Sequence, residues 1–407
     1  MCIFESRMAN PVKKPLQILV IAPHPFYQER GTPIACRLLC EALTGEGHRV
    51  DLLTYPEGND IELSNLRIFR TPKLPFLKNI PIGLSIKKLV CDALMVFSLI
   101  GRFAAQRYDV IHAGEESVFL ASWMRFLHGA RVVYDMDSSL ADQVVEKFPA
   151  LGFLNRFLDA FEQMAFRDAE LLLPVCDALA QKVYRVDRNK PLEILEDVYF
   201  EPEPMEIEVE DLRKEVPSIP VMLYVGNLEK YQGIDLLLDA LHLLLESGQT
   251  RWVLKFVGGN ESDIGRYQEM SLELGLGEHV SFLGPRPLVQ LPYLLEQADI
   301  LLSPRIKGGN TPMKLYSYLA SGKPVVATRI FSHTQAIDDE SGVLVEPDAA
   351  SMAEGLAGLI SDPEKGKRIG EAGRALAYSR YSIATYRSKL NGSYLRLATG
   401  SDRKPAV

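Results

Sequence analysis

Short runs of Val, Ile and Leu alternate along the chain with stretches whose apolar residues recur every three or four positions. In the first half, residues 17–22, 49–54, 109–112, 131–134 and 171–175 are predicted strands. They are apolar on both sides, as strands of a parallel sheet covered on both faces must be. Helical spacing predicts helices over 32–44, 89–103 and 155–167. A second series of strands is predicted at 221–225, 252–257, 280–282, 300–303, 324–327 and 343–345. Its helices are expected at 234–246, 263–274, 288–296, 313–321, 351–360 and 384–398. Alternation of this kind describes an α/β protein with two doubly wound, Rossmann-like parallel sheets.

Length agrees, because 407 residues exceed what one hydrophobic core usually serves. Residues 1–200 are expected to form a first domain and 216–383 a second, with a terminal helix and polar tail over 384–407. Nine acids against two bases mark 196–215 as a solvated connector. A net charge of −8 argues against nucleic acid as a partner. The five cysteines (Cys2, Cys36, Cys40, Cys91, Cys176) show no disulfide or zinc spacing and read as reduced thiols of a cytoplasmic protein. No convincing signal peptide or membrane-spanning run is present.

In such sheets ligands bind beyond the carboxyl ends of strands, so the loops there carry the candidate chemistry. After the first strand, Gly31 permits close backbone approach and Thr32 is suited to cap the next helix, making an anion-binding start. An ordinary strand-to-helix connection has the same composition. The turn Gly226-Asn227-Leu228-Glu229-Lys230-Tyr231-Gln232-Gly233 opens the second series with a glycine at each end. The third loop contains Arg305, Lys307, Gly308, Gly309, Asn310, Thr311, Pro312 and Lys314. There Thr311 is expected as N-cap and Pro312 as first helical residue, leaving amides free to face a pyrophosphate beside three cations.

The second and third loops carry a resemblance. Residues 226–233 resemble the Gly-Arg-Leu…Lys-Gly element of glycosyltransferase family 4, in the GT-B superfamily, whose Arg and Lys neutralise the donor diphosphate. Asn227 and Gln232 occupy those places here, with Lys230 nearby. The segment ending in Gly322-Lys323-Pro324-Val325-Val326 resembles the family's Glu-x7-Glu element, but its two acids fall on Gly309 and Ser317. The turn Val257-Gly258-Gly259-Asn260 is similar to the family's mid-domain glycine turn. The resemblance implies a GT-B fold with a cleft between the domains and retaining, metal-independent transfer from a nucleotide-sugar donor, with no cofactor. Arg305, Lys307 and Lys314 would then meet the phosphate charge, and Ser317 would help hold the ribose. A donor site that has lost activity is the competing reading, and a nucleotide-sugar 2-epimerase would share the architecture. A dinucleotide oxidoreductase is disfavoured because no Gly-x-Gly-x-x-Gly follows either first strand.

For the chemistry, the family's cleft histidine falls on Asp137, followed as candidates by Glu115 and His112 after the preceding strand. A strand-end histidine serves equally as a satisfied core group, and the acids as solvated loop residues. The acceptor is addressed by composition: 70–107 carries seven bases (Arg70, Lys73, Lys78, Lys87, Lys88, Arg102, Arg107) against the single acid Asp92, interleaved with apolar residues. Such a surface suits an anionic membrane face and a glycan or lipid-linked acceptor, unless the helix is merely core behind a basic loop.

Overall fold

The computed structural model describes residues 14–28, 31–75, 77–80, 85–139, 155–201, 208–214 and 216–399. The described chain divides into two compact units.

In the first unit, β1 (Gln17–Ala22), β2 (Arg49–Thr54), β3 (Leu66–Arg70), β4 (Val110–Gly114), β5 (Arg131–Met136) and β6 (Leu171–Pro174) form one sheet in the order β3-β2-β1-β4-β5-β6. The strand pairs with a recorded register are parallel; Gln17 aligns with Arg49 and Ile18 with Val110. Its helices are α1 (Gly31–Gly45), α2 (Ile86–Ala105), α3 (Ser117–His128), α4 (Asn155–Asp168) and α5 (Asp177–Val186), the last shared between the units. The central strands are apolar and buried because helices cover both faces.

The second unit repeats the plan. Strands β7 (Val221–Val225), β8 (Val253–Val257), β9 (Val280–Gly284), β10 (Ile300–Ser303), β11 (Val325–Thr328) and β12 (Val343–Val345) run in the order β12-β11-β10-β7-β8-β9. Its helices are α6 (Ile234–Glu246), α7 (Glu261–Glu273), α8 (Leu291–Gln297), α9 (Met313–Ser321), α10 (Phe331–Thr334), α11 (Ala349–Ser361) and α12 (Pro363–Arg380); α13 (Ile383–Thr399) follows. Two apolar clusters, one built around Leu237, Leu241 and Phe256 and one around Leu291, Leu315 and Leu319, fill its layers.

The units are not two consecutive stretches, as the expected division at 200/216 would have them. Residues 174–182 and the described residues from 194 to 389 make up the second unit, while 390–399 belong to the first. The reason is packing: Leu390 and Tyr394 of α13 are buried, and the Tyr394 hydroxyl bonds His112 Nδ1 at 2.8 Å. Glu196, in the expected solvated connector, is also buried, paired with Arg380 and Lys389.

The basic segment needs a second correction. Arg70 pairs with Asp60, Arg102 with Asp51, and Lys88 is buried between Glu115 and Glu116. Leu77 and Ile80 are core residues. Of the seven bases, Lys73, Lys78 and Arg107 are exposed and Lys87 is half-buried. Helix α2 nevertheless leaves Ile86 (81% exposed), Leu89, Phe97 (71%) and Ile100 uncovered on one stripe. No helix among the described residues is long and apolar enough to cross a membrane. Cys36, Cys40, Cys91 and Cys176 are buried free thiols, and Cys2 lies outside the described residues.

Candidate functional site

In the second unit, the loops after β7, β8 and β10 are locked together by glycines at positive φ. A Cβ on Gly258 (φ 109°) would lie 2.2 Å from the Gly226 carbonyl oxygen, and one on Gly233 (φ 72°) would lie 2.0 Å from that of Pro304. Both contacts forbid any side chain, so these loops meet backbone to backbone. The Ile306 amide donates to Tyr231 O at 2.9 Å, tying the second and third loops directly.

Arg305 shapes the third loop. Its Nε donates to Lys307 O at 2.6 Å and its Nη1 to Asn310 O at 3.1 Å. Gly308 (φ 119°) is required because a Cβ there would sit 2.1 Å from the guanidinium. Gly309, in contrast, faces open space, and its carbonyl accepts from Gln335 Nε2 at 2.8 Å.

Lys314, on the first turn of α9, brings its ammonium to 3.5 Å from Gln232 Oε1 and 3.8 Å from the centre of the Tyr224 ring. The cation thus reaches the position where the resemblance places the family's lysine. Burial, with Arg305 adding to it, pushes the Lys314 ammonium well below its usual pKa. Among the described residues no carboxylate pairs with it. A half-buried cation without a counter-charge is poised to gain from an anion.

His333 anchors the loop from behind. Its Nε2 bonds Ser303 Oγ at 2.8 Å and its Nδ1 the Thr328 carbonyl at 2.8 Å. Burial first, then the charges of Lys314 and Arg305, lower it to about 4, so it stays neutral. The sequence analysis did not single out His333, which lies outside the three loops, or Tyr224, which reads as an ordinary residue of the strand 221–225. A histidine five residues beyond a strand end was the available signal.

The start of α9 differs from the expected one. Helix α9 begins at Met313 with Pro312 as N-cap, so Thr311 precedes the cap and does not form it. Pro312 fixes its own φ and supplies the carbonyl that accepts from Leu315 N, a role for which a threonine hydroxyl is unnecessary. Ser317 is 3% exposed, and its Oγ accepts from the Phe200 amide at 3.1 Å. Its hydroxyl is thus turned toward the connector. Asn227 and Lys230 are exposed, with Asn227 Nδ2 donating to Glu229.

In the first unit, a recess of about 20 Å³ at the carboxyl ends of β1, β4 and β5 brings together His24, Thr32, Glu115 and Asp137. That volume accommodates about one water molecule. Gly31 starts α1 beside it, but residues 29–30 of this loop lie outside the described residues. Asp137 is half-buried at the recess. Glu115 has φ 48° and is held 3.1 Å from Lys88 Nζ. Burial and the Glu115 charge raise Glu116 to about 7, while its two acids raise Lys88 against the opposing effect of burial. His112 is 1% exposed, and both ring nitrogens are occupied, by Tyr394 and by Asp135 Oδ2 at 3.1 Å. It is a satisfied core histidine that also lines the recess, where His24 stands with it. Burial lowers its pKa, so it is neutral near pH 7.

A model described as glycosyl transferase 4-like domain matches residues 30–193, and one described as glycosyl transferases group 1 matches 210–376. The D-inositol 3-phosphate glycosyltransferase of Corynebacterium efficiens is 30% identical over 186 residues, 44% of this chain and 43% of that protein. Its counterpart in Corynebacterium urealyticum is 32% identical over 197 residues, 46% of each chain. The chain thus matches less than half the length of these relatives. Among solved structures, sucrose-phosphate synthase from Thermosynechococcus elongatus superposes with a TM-score of 0.76 at 20% identity, over 95% of this chain and all of that one. The Anabaena protein HepE, solved with UDP-glucose, gives 0.69 at 18% identity over 94% of this chain and all of that one. At such identities these likenesses establish the GT-B fold.

Proposed function

We propose that this chain, which belongs to the family-4-like glycosyltransferases of the GT-B fold, moves a glycosyl group from a nucleoside-diphosphate sugar held on its second unit to a glycan or lipid-linked acceptor. The observation that carries the donor reading is the Lys314 ammonium beside Gln232, a displaced cation standing where the family's lysine is absent. Arg305, Lys307 and the amides of 310–314 complete an anion-binding set. The UDP and UDP-glucose complexes of HepE support the donor class.

The anomeric C–O bond to the diphosphate breaks with both electrons leaving on the phosphate oxygen. The acceptor oxygen bonds the anomeric carbon, and its proton passes to the departing diphosphate. Reaction on one face retains configuration. Lys314 and Arg305 stabilise the leaving charge, so no metal is needed. Asp137, with Glu115 at the same recess, meets the positive charge that develops on a hexosyl-type donor. Gly309→Trp tests the placement, because a Cβ there meets nothing within 4 Å. Nucleoside diphosphates should then no longer raise the melting temperature, with the unliganded melting temperature unchanged. Undiminished protection would place the donor elsewhere.

We place the acceptor at the cytoplasmic face of a membrane, reached by the α2 stripe. Ile86, Leu89, Phe97 and Ile100 are the apolar contact, with Lys73, Lys78 and Lys87 beside them. Each base near anionic lipid adds about 1 kcal/mol. Vesicles containing phosphatidylserine should sediment the protein, less so at high salt. Lys73→Glu/Lys87→Glu should weaken this about tenfold or more, and Phe97→Asp should abolish it. Equal, negligible binding to anionic and neutral vesicles would make the acceptor soluble.

A further inference from the structure

The Gly322-Lys323-Pro324 run that marks the family resemblance lies at the amino ends of β10 and β11, the edge of the second sheet opposite the donor loops. A cavity of about 660 Å³ opens there, within the range of small-molecule sites. Four bases line it, Arg213, Lys323, Lys367 and Arg374, against two acids, Asp299 and Glu371.

The cavity is built by close backbone packing. A Cβ on Gly370 of α12 would lie 2.1 Å from the Gly322 carbonyl oxygen, and one on Gly322 (φ 74°) 2.4 Å from the Arg374 guanidinium. Arg374 donates from Nη2 to Ser321 O at 2.6 Å. Arg213 is held by Asp299 at 2.7 Å and by Gln297 O. Asp299 is thus taken up by Arg213, and among the described residues no ion pair joins Lys323, Lys367 or Arg374 to a carboxylate. Burial, partly opposed by Asp299, lowers the Lys323 ammonium, and the neighbouring Arg213 and Arg374 charges lower it further. Helix-end capping accounts for Arg374 but not for the two lysines. Ile219, Pro324 and Ile360 give the cavity an apolar part.

We propose that this cavity is a second ligand site, separate from the donor site, for a small phosphorylated molecule. Phosphate oxygens would meet Lys323, Lys367 and Arg374, and the remainder of the molecule would pack on Ile219, Pro324 and Ile360.

Calorimetric titration with inorganic pyrophosphate and with fructose 1,6-bisphosphate tests this, using the wild type, Lys314→Met and Lys323→Gln/Lys367→Gln. Lys314→Met weakens the donor site, so saturable binding that keeps its wild-type affinity there reports the second cavity. The double variant should bind both probes at least about tenfold more weakly while keeping its affinity for nucleoside diphosphates. Lys367 is exposed, so Lys367→Gln alone, which leaves the fold intact, should show part of that loss. Absence of saturable binding to Lys314→Met, or equal binding by the charge variants and wild type, would overturn the proposal.

Discussion

Lys314→Met should weaken nucleoside-diphosphate binding by at least about thirtyfold, on the order of 2 kcal/mol for a lost charge-assisted contact. Its ammonium has Gln232 and the Tyr224 ring as neighbours, and a diphosphate would supply the missing counter-charge. The same substitution should raise the melting temperature of the unliganded protein, since methionine fills the site without an amine that must be desolvated or give up its proton. Opposite signs for binding and stability separate a ligand-binding lysine from one that holds the fold together. The pH dependence follows from the depressed pKa. Between that lowered value and the ordinary lysine value of about 10.4, the unfolded chain keeps a proton that the native state has released. Native stability therefore rises with pH across this window. Nucleotide affinity falls across it, because binding must take the proton back up. Calorimetry in buffers of different ionisation enthalpy would register that uptake. A variant that is less stable and still binds normally would make Lys314 structural.

Asp137→Asn is expected to lower turnover on the order of a hundredfold while nucleotide affinity stays unchanged. The residue follows β5 at the recess shared with His24 and Glu115, in the unit that does not carry the donor loops. Loss of the charge removes a partner for the positive charge of the transition state and leaves shape and volume nearly intact. Steady-state kinetics beside direct nucleotide binding would decide it. Normal turnover, or an equal loss in both quantities, would take Asp137 out of the chemistry.

Most strands were legible because a parallel sheet buried on both faces demands unbroken apolar runs, as at 17–22 and 221–225. Strand β3, Leu-Arg-Ile-Phe-Arg, escaped because an edge strand alternates with charge and is only half-buried. Helix α12 escaped for a different reason. It packs through Gly366, Gly370, Gly373 and Ala377, a stripe of small residues that carries no hydrophobic period. In the candidate site, the glycine turns and cations were readable as types in order. Which way each side chain points was not: Ser317 and Lys314 stand three apart on one helix, yet one enters the connector and the other the loop. The Lys314–Gln232 approach joins positions 82 apart, and the His112–Tyr394 bond positions 282 apart, beyond any local pattern.

The claim on which the rest depends is that the loops of the second unit hold the donor diphosphate. Amide hydrogen exchange, measured with and without saturating nucleoside diphosphates of each base, addresses it segment by segment. At least one nucleotide should slow exchange within 226–233 and 304–316 and leave the amides of β1 to β6 unchanged. Protection confined to the first unit, or none with any nucleotide, would contradict it.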